Sequence, residues 1–288
     1  MDKQNKRIKP DWLKTKLPLG TNYATLKKIV SDNDLHTICS SGKCPNMGEC
    51  WNRGTATFMI LGDICTRSCK FCATLTGKPL APDVNEPAKV AESIRLMKLQ
   101  HCVITSVDRD DLPDFGADHW VQTIRAIKAA NPDTTIEVLI PDFQGKADLI
   151  NLIIAEHPEV ISHNLETVRR LTPFIRSKAS YALSLNVIPI LATGNVVPKS
   201  GIMVGLGETL DEIYETMDDL LEAGCKVMTI GQYLQPTRKH QEVKRYVHPD
   251  EFALYREEGL KRGFEFVESS PLVRSSYCAE KHVNNYPP

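Results

Sequence analysis

Residues 54–72 read GTATFMILGDICTRSCKFC. The run TATFMIL is short, apolar and rich in β-branched and aromatic residues, which predicts a buried strand ending at Leu61. Behind it, Cys65, Cys69 and Cys72 stand in a CxxxCxxC pattern. Thiolates three and four residues apart in a loop can converge on one metal centre. The fold therefore turns on what kind of sheet this first strand opens.

Downstream, apolar β-rich runs alternate with longer helical patterns. PAKVAESIRLMKLQ carries Val90, Ile94 and Met97 at helical spacing, and the strand HCVITSV follows from His101. Helices are expected around 119–130, 146–156, 167–176, 180–191, 209–224 and 249–262. Strands are expected at TTIEVLI, EVISHN, SGIMVGL, KVMTIGQYL and GFEFVES. The strands show little alternation, as parallel strands covered on both faces do. Six strand–helix units with right-handed crossovers predict an α/β fold, an incomplete (β/α)6 TIM-like barrel. Ligands of such folds sit at the C-terminal ends of the strands, where CxxxCxxC falls. The expected organisation is an N-terminal extension over 1–52, the partial barrel over 53–268 and a C-terminal tail over 269–288.

The chain has 288 residues, 42% hydrophobic and 25% charged, with a net charge of −1, so no global field draws it to nucleic acid or a membrane. The basic N-terminus lacks an apolar signal core, and no run of about 18 apolar residues is present. A cytoplasmic protein is expected. In that reducing compartment, clustered cysteines point to metal rather than disulfides. Six of the nine cysteines fall between Cys39 and Cys72. Cys102 and Cys225 read as small buried hydrophobes, whereas Cys278 lies beside a serine pair.

Three cysteines are one short of the four that fully ligate a 4Fe–4S cube, so one iron would stay open to another ligand. Zinc ribbons instead use CxxC pairs with a second pair at a distance. Upstream, HTICSSGKCPNMGECW sets out Cys39, Cys44 and Cys50, a second triplet and a second metal centre. Asn164 and Glu166 follow a predicted strand at alternate positions, so both can face a cavity; capping the next helix is the other reading. Residues 108–111, DRDD, are acidic and sit at a strand end, where they either line the mouth or form a solvated loop, the second being preferred. The glycines of GIMVGLGE do not form a phosphate loop and can let backbone approach a ligand.

CxxxCxxC after the first strand of a βα barrel resembles the radical S-adenosylmethionine (SAM) superfamily. GTATFMILGDICTR, ITSVDRDDLPDFGA, HNLETV, KSGIMVGLGET, GQYLQP and SSPLVRSSY, with the Cys39–Cys44–Cys50 spacing, are similar to the lipoyl synthase family. That resemblance implies two 4Fe–4S clusters and SAM. Cys65, Cys69 and Cys72 would hold the SAM-binding cluster; Cys39, Cys44 and Cys50 would hold an auxiliary one. Its fourth ligand would be a serine of Arg274–Ser275–Ser276–Tyr277, Ser276 by preference and Ser275 otherwise. A hard alkoxide is a poor match for a soft cluster, which suits one that is dismantled for its sulfide. SAM contacts would come from Asn164 and Glu166, with Lys199 and Phe71 as further candidates. The implied reaction adds sulfur at C6 and C8 of an octanoyl chain on a lipoyl carrier domain (a dehydrogenase E2 subunit or the glycine cleavage H protein). Flavodoxin or ferredoxin would supply electrons. A biotin synthase or methylthiotransferase, and a two-cluster electron carrier, are the competing readings.

Overall fold

The computed structural model describes residues 9–14, 21–32, 37, 39, 44 and 46–284. Helices α1 (Thr21–Asp32) and α2 (Met47–Asn52) precede the first strand. The main sheet has seven strands: β1 (Thr55–Ile60), β4 (His101–Ser106), β5 (Thr135–Leu139), β6 (Val160–Ser162), β7 (Val197–Val204), β8 (Val227–Gln232) and β9 (Phe266–Ser270). They lie in that order and every pairing is parallel. β1 and β9 are the two edges, so the barrel is open there. A small parallel pair, β2 (Ile64–Cys65) and β3 (Leu75–Thr76), folds the cysteine loop over the end of β1.

Crossovers run through α3 (Glu86–Met97), α4 (Ala117–Ala130), α5 (Ala147–Ile154), α7 (Tyr181–Ala192), α8 (Leu210–Glu222) and α9 (Pro249–Arg262). Every residue of β1 and β8 is buried, which accounts for their unbroken apolar character. Helix starts follow local chemistry. Thr209 and Glu212 form a capping box for α8, and Pro249 opens α9 with no amide to leave unpaired. Among the described residues no helix is long and apolar enough to cross a membrane.

Two expectations over 159–204 are corrected. The helix expected at 167–176 shrinks to one turn, α6 (Thr172–Ile175). Glu166 holds a left-handed φ of 69° and bridges to Ile202, prolonging the pairing with β7 where a helix would have begun. The strand SGIMVGL starts three residues earlier, at Val197. Pro198 has no amide to donate to the ladder, yet it pairs in register with Ile161 and its carbonyl accepts from the Lys226 amide at 2.9 Å.

The C-terminal segment runs along the open seam. The Gln232 amide donates to Pro271 O, and Asn46 Nδ2 donates to Leu272 O at 2.6 Å. Farther on, Tyr277 reaches Glu49, and Glu280 accepts from Thr55 Oγ1 on β1. The last helix, α10 (Glu280–Asn284), sets His282 edge-on against Phe266 of β9 and Val283 against Val160, Val197 and Val227. The tail thus bridges both edge strands and closes the N-terminal end of the barrel.

Candidate active site

A cavity of about 390 Å³ opens at the C-terminal ends of the strands. It is lined by Cys65, Cys69, Cys72 and Phe71 of the loop after β1, by Asn164 and Glu166 after β6, and by Cys39, Cys44, Ser275 and Ser276. The two cysteine groups and the serine pair, far apart in the chain, therefore share one chamber. Cys50 lies outside the lining, buried on α2, where its thiol feels both Cys44 and Cys39. Residues 38, 40–43 and 45 of the second triplet's loop lie outside the described set.

The first cysteine loop is held from three sides. The Arg67 and Asp108 amides both donate to Cys65 Sγ at 3.4 Å. The Lys70 amide donates to Ile175 O, the Ser68 amide donates to Ser177 Oγ, and His240 donates through Nε2 to Cys72 O at 2.8 Å. Arg67 is buried and pairs with three carboxylates: both oxygens of Asp110, both of Asp142, and Asp108 at 3.3 Å. This clamp ties the ends of β4 and β5 to the cysteine loop. It also corrects the preferred reading of DRDD as a solvated loop in favour of the other one: Asp108 and Asp110 are turned inward by Arg67, and Asp108 lines the cavity.

Burial pushes the thiols up: Cys65 and Cys39 to about 11, Cys69 and Cys50 to about 12. Thiolates, the form that binds iron, therefore need compensating positive charge. Arg176 opposes the shift at Cys69, Arg274 at Cys44 and Arg53 at Cys50. Arg176 is locked by Ser184 Oγ at 2.7 Å and by the carbonyls of Asn164 and Leu165. Among the described residues, no three His, Cys, Asp or Glu side chains draw close enough to hold a single ion. Three thiols on one loop are one ligand short of a fully ligated 4Fe–4S cube, so the donor set of Cys65, Cys69 and Cys72 fits a cluster with one open corner.

Among the described residues, three buried polar atoms on the cavity wall lack partners: Ser106 Oγ, His163 Nε2 and Asn164 Oδ1. His163 donates through Nδ1 to Ile140 O at 2.9 Å, which leaves Nε2 with a free lone pair. Asn164 Nδ2 donates to Ser275 Oγ at 2.7 Å and to Glu166 Oε1 at 3.1 Å, which fixes its carbonyl as the open group. Glu166 is buried, and burial pushes its carboxyl up, as it does that of Asp108. Unfilled acceptors beside buried carboxylates fit a cationic ligand rich in N–H and O–H donors, which describes SAM. Neither Asn164 nor Glu166 caps a helix.

Lys199 is not at the cavity. Its ammonium is fully buried, paired with both Glu137 oxygens at 2.7 and 2.9 Å, and it donates to Ser275 O at 2.6 Å. Gly201 is explained by packing, since a Cβ there would run into Thr229 Oγ1 of the next strand. Cys102 and Cys225 are buried in the core, as expected for small hydrophobes. Arg67, Asp142, His163 and Arg176 were missed in sequence. Only the position of Arg67 between two cluster cysteines offered a signal.

The chain from 59 to 220 matches the family model of the radical SAM superfamily, and residues 1–44 match that of the N-terminal domain of lipoyl synthase. It is 64% identical over 280 residues to the lipoyl synthase of Bacteroides fragilis strain YCH46, covering 97% of each chain. It is 61% identical to that of Treponema denticola, over 96% of this chain and 95% of the relative. Among solved structures, Streptococcus suis SuiB bound to precursor peptide SuiA superposes with a TM-score of 0.59 at 8% identity, over 86% of this chain and 52% of that one. Methylornithine synthase superposes at 0.54 and 11% identity, over 86% and 76%. These two bear on the barrel alone.

Proposed function

Since the chain belongs to the lipoyl synthase family of radical SAM sulfurtransferases, with a 4Fe–4S cluster, SAM and a protein-bound octanoyl substrate, we propose how its own residues divide that work. Cys65, Cys69 and Cys72 hold the SAM-binding cluster. Cys39, Cys44, Cys50 and Ser276 hold a second 4Fe–4S cluster, whose sulfide ends at C6 and C8 of the octanoyl group. When bound, these groups supply a reducing electron, a hydrogen-abstracting radical and sulfur; the protein supplies placement and shielding.

Asn164, Glu166 and His163 Nε2 receive the donors of SAM, and Phe71 packs beside it. Arg67 holds Asp108 and Asp142 still, so the cluster loop keeps its place. Met59, Val103, Leu139, Ile202 and Met203 line the same cavity. Their apolar surface seats the octanoyl chain and keeps water from a radical that would otherwise be quenched. Ser276 is favoured over Ser275 because the Ser275 hydroxyl already accepts from Asn164. The carrier is a lipoyl domain of a dehydrogenase E2 subunit or the glycine cleavage H protein, flavodoxin or ferredoxin supplies electrons, and the reducing cytoplasm is the compartment.

The observation that carries this reading is the meeting of the first triplet, Cys39 and Cys44 of the second, and the serine pair around one chamber. Anaerobic incubation of reconstituted protein with SAM, dithionite and an octanoyl-lysine peptide tests it. The expected products are a dithiolated peptide and about two deoxyadenosines per lipoyl group, one for each C–H bond attacked. Deoxyadenosine without thiolated peptide would point to biotin synthase or methylthiotransferase chemistry. No SAM cleavage would point to an electron carrier.

A further inference from the structure

Lys199, Glu137 and His282 form a buried group that the chemistry above does not use. Lys199 lies on β7 and Glu137 on β5, both fully buried, and His282 comes from α10. The three N–H bonds of the ammonium are all spent: on the Glu137 carboxylate, on Ser275 O at 2.6 Å and on His282 Nδ1 at 3.1 Å. Two of those partners belong to the tail, on either side of Ser276. An ammonium in a barrel interior is costly unless paired, and Glu137 provides the pairing. What the pair then offers the rest of the molecule is a fixed donor aimed at the backbone of the serine segment.

We propose that Lys199 is a positioning residue that latches the C-terminal segment into the barrel and so sets where Ser276 stands toward the second cluster. The inference rests on the serine-ligand reading above. The bond to Ser275 O fixes the backbone one residue before Ser276, while Asn164 takes the Ser275 hydroxyl; that of Ser276 has no bond among the described residues. His282 anchors the far end, helped by Phe266 and Val283. Further tail contacts run to α2 and to Arg53, the residue that ends it. Tyr277 reaches Glu49, while Arg53 donates to Cys278 Sγ at 3.4 Å and pairs with Glu280 at 3.6 Å. The tail is therefore tied on one side to the helix bearing Cys50 and on the other to the barrel floor.

Lys199→Met alone would strand a buried carboxylate and could unfold the chain, so it is paired with Glu137→Gln. His282→Ala, which leaves the ion pair whole, is the second variant. In metal-free protein, amide exchange over residues 272–277 should accelerate at least about tenfold in both variants, with residues 64–76 unchanged. In reconstituted protein lacking Cys65, Cys69 and Cys72, the cluster's Mössbauer spectrum should shift in Lys199→Met/Glu137→Gln as it does in Ser276→Ala. Unchanged exchange in the tail overturns the latch. Faster exchange with a wild-type spectrum, when Ser276→Ala does shift it, overturns the positioning role. If neither Ser275→Ala nor Ser276→Ala moves the spectrum, the ligand reading falls, and the inference falls with it.

Discussion

The two cysteine triplets are built in opposite ways. Cys65, Cys69 and Cys72 lie within one loop, fixed by amides to Cys65 Sγ and by the Arg67 clamp onto the ends of β4 and β5. The second set draws Cys39 and Cys44 from the N-terminal extension, Cys50 from α2 and the serine pair from the tail. The serine pair reaches the chamber through the tail that runs along the seam. A local set stays rigid while one ligand comes and goes. On the proposed assignment, a set assembled from three chain segments could lose one ligand without unfolding the others, as a cluster that gives up its sulfide would require.

The largest test of that contrast is catalytic. Replacing Cys39, Cys44 and Cys50 together with Ala should leave deoxyadenosine formation intact and reduce lipoyl product at least about a hundredfold, measured by mass spectrometry of the peptide. Loss of both activities would mean the triplets are one functional unit. Next in size, Arg67→Met leaves the fully buried Asp142 carboxylate unpaired and should cost about 3–5 kcal/mol in denaturant unfolding. It should also slow SAM cleavage, because the first loop loses its tether; an unchanged rate would remove the clamp from the account.

The pH dependence of metal-free protein is expected to be smaller. Burial, with Arg176 at His163 and Lys199 at His101 adding to it, holds both imidazoles down to about 4. Between that value and the ordinary one of about 6.5 the unfolded chain takes up more protons, so stability is whole above about pH 6.5 and declines toward pH 4, by at most about 1.4 kcal/mol per pH unit for each histidine. Glu137 does not offset this. Burial pushes its carboxyl up, but Lys199 and His282 hold it down to about 2, so its contribution persists across the window and is lost only in stronger acid. A melting temperature flat from about pH 7 to 5 would contradict the assignment. Smallest of all, Thr209→Ala removes the cap of α8, which is not part of the cavity lining, and should cost about 1 kcal/mol with no change in either cluster's spectrum.

Much of this was legible in the chain. Parallel strands buried on both faces leave unbroken apolar runs, as β1 and β8 do, so the barrel could be read from the alternation of such runs with helical patterns. The cysteines were legible because no other residue type at that spacing does the same work. The charged residues were not. Arg67, Asp108 and Asp142 look like loop residues bound for solvent until three strand ends are brought together. Lys199 is the sharpest case: in sequence it opens a strand and suggests a SAM carboxylate contact. Its actual partners, Glu137 and Ser275, lie 62 and 76 residues away. Local pattern carries no information about pairing over that distance.

Iron and acid-labile sulfide, counted after anaerobic reconstitution, test the division of labour most directly. Wild type should hold about eight irons per chain, and each triple cysteine variant about four, with the remaining cluster reducible in both. A wild type that never exceeds about four irons, or a triple variant that matches wild type, would contradict two separate centres.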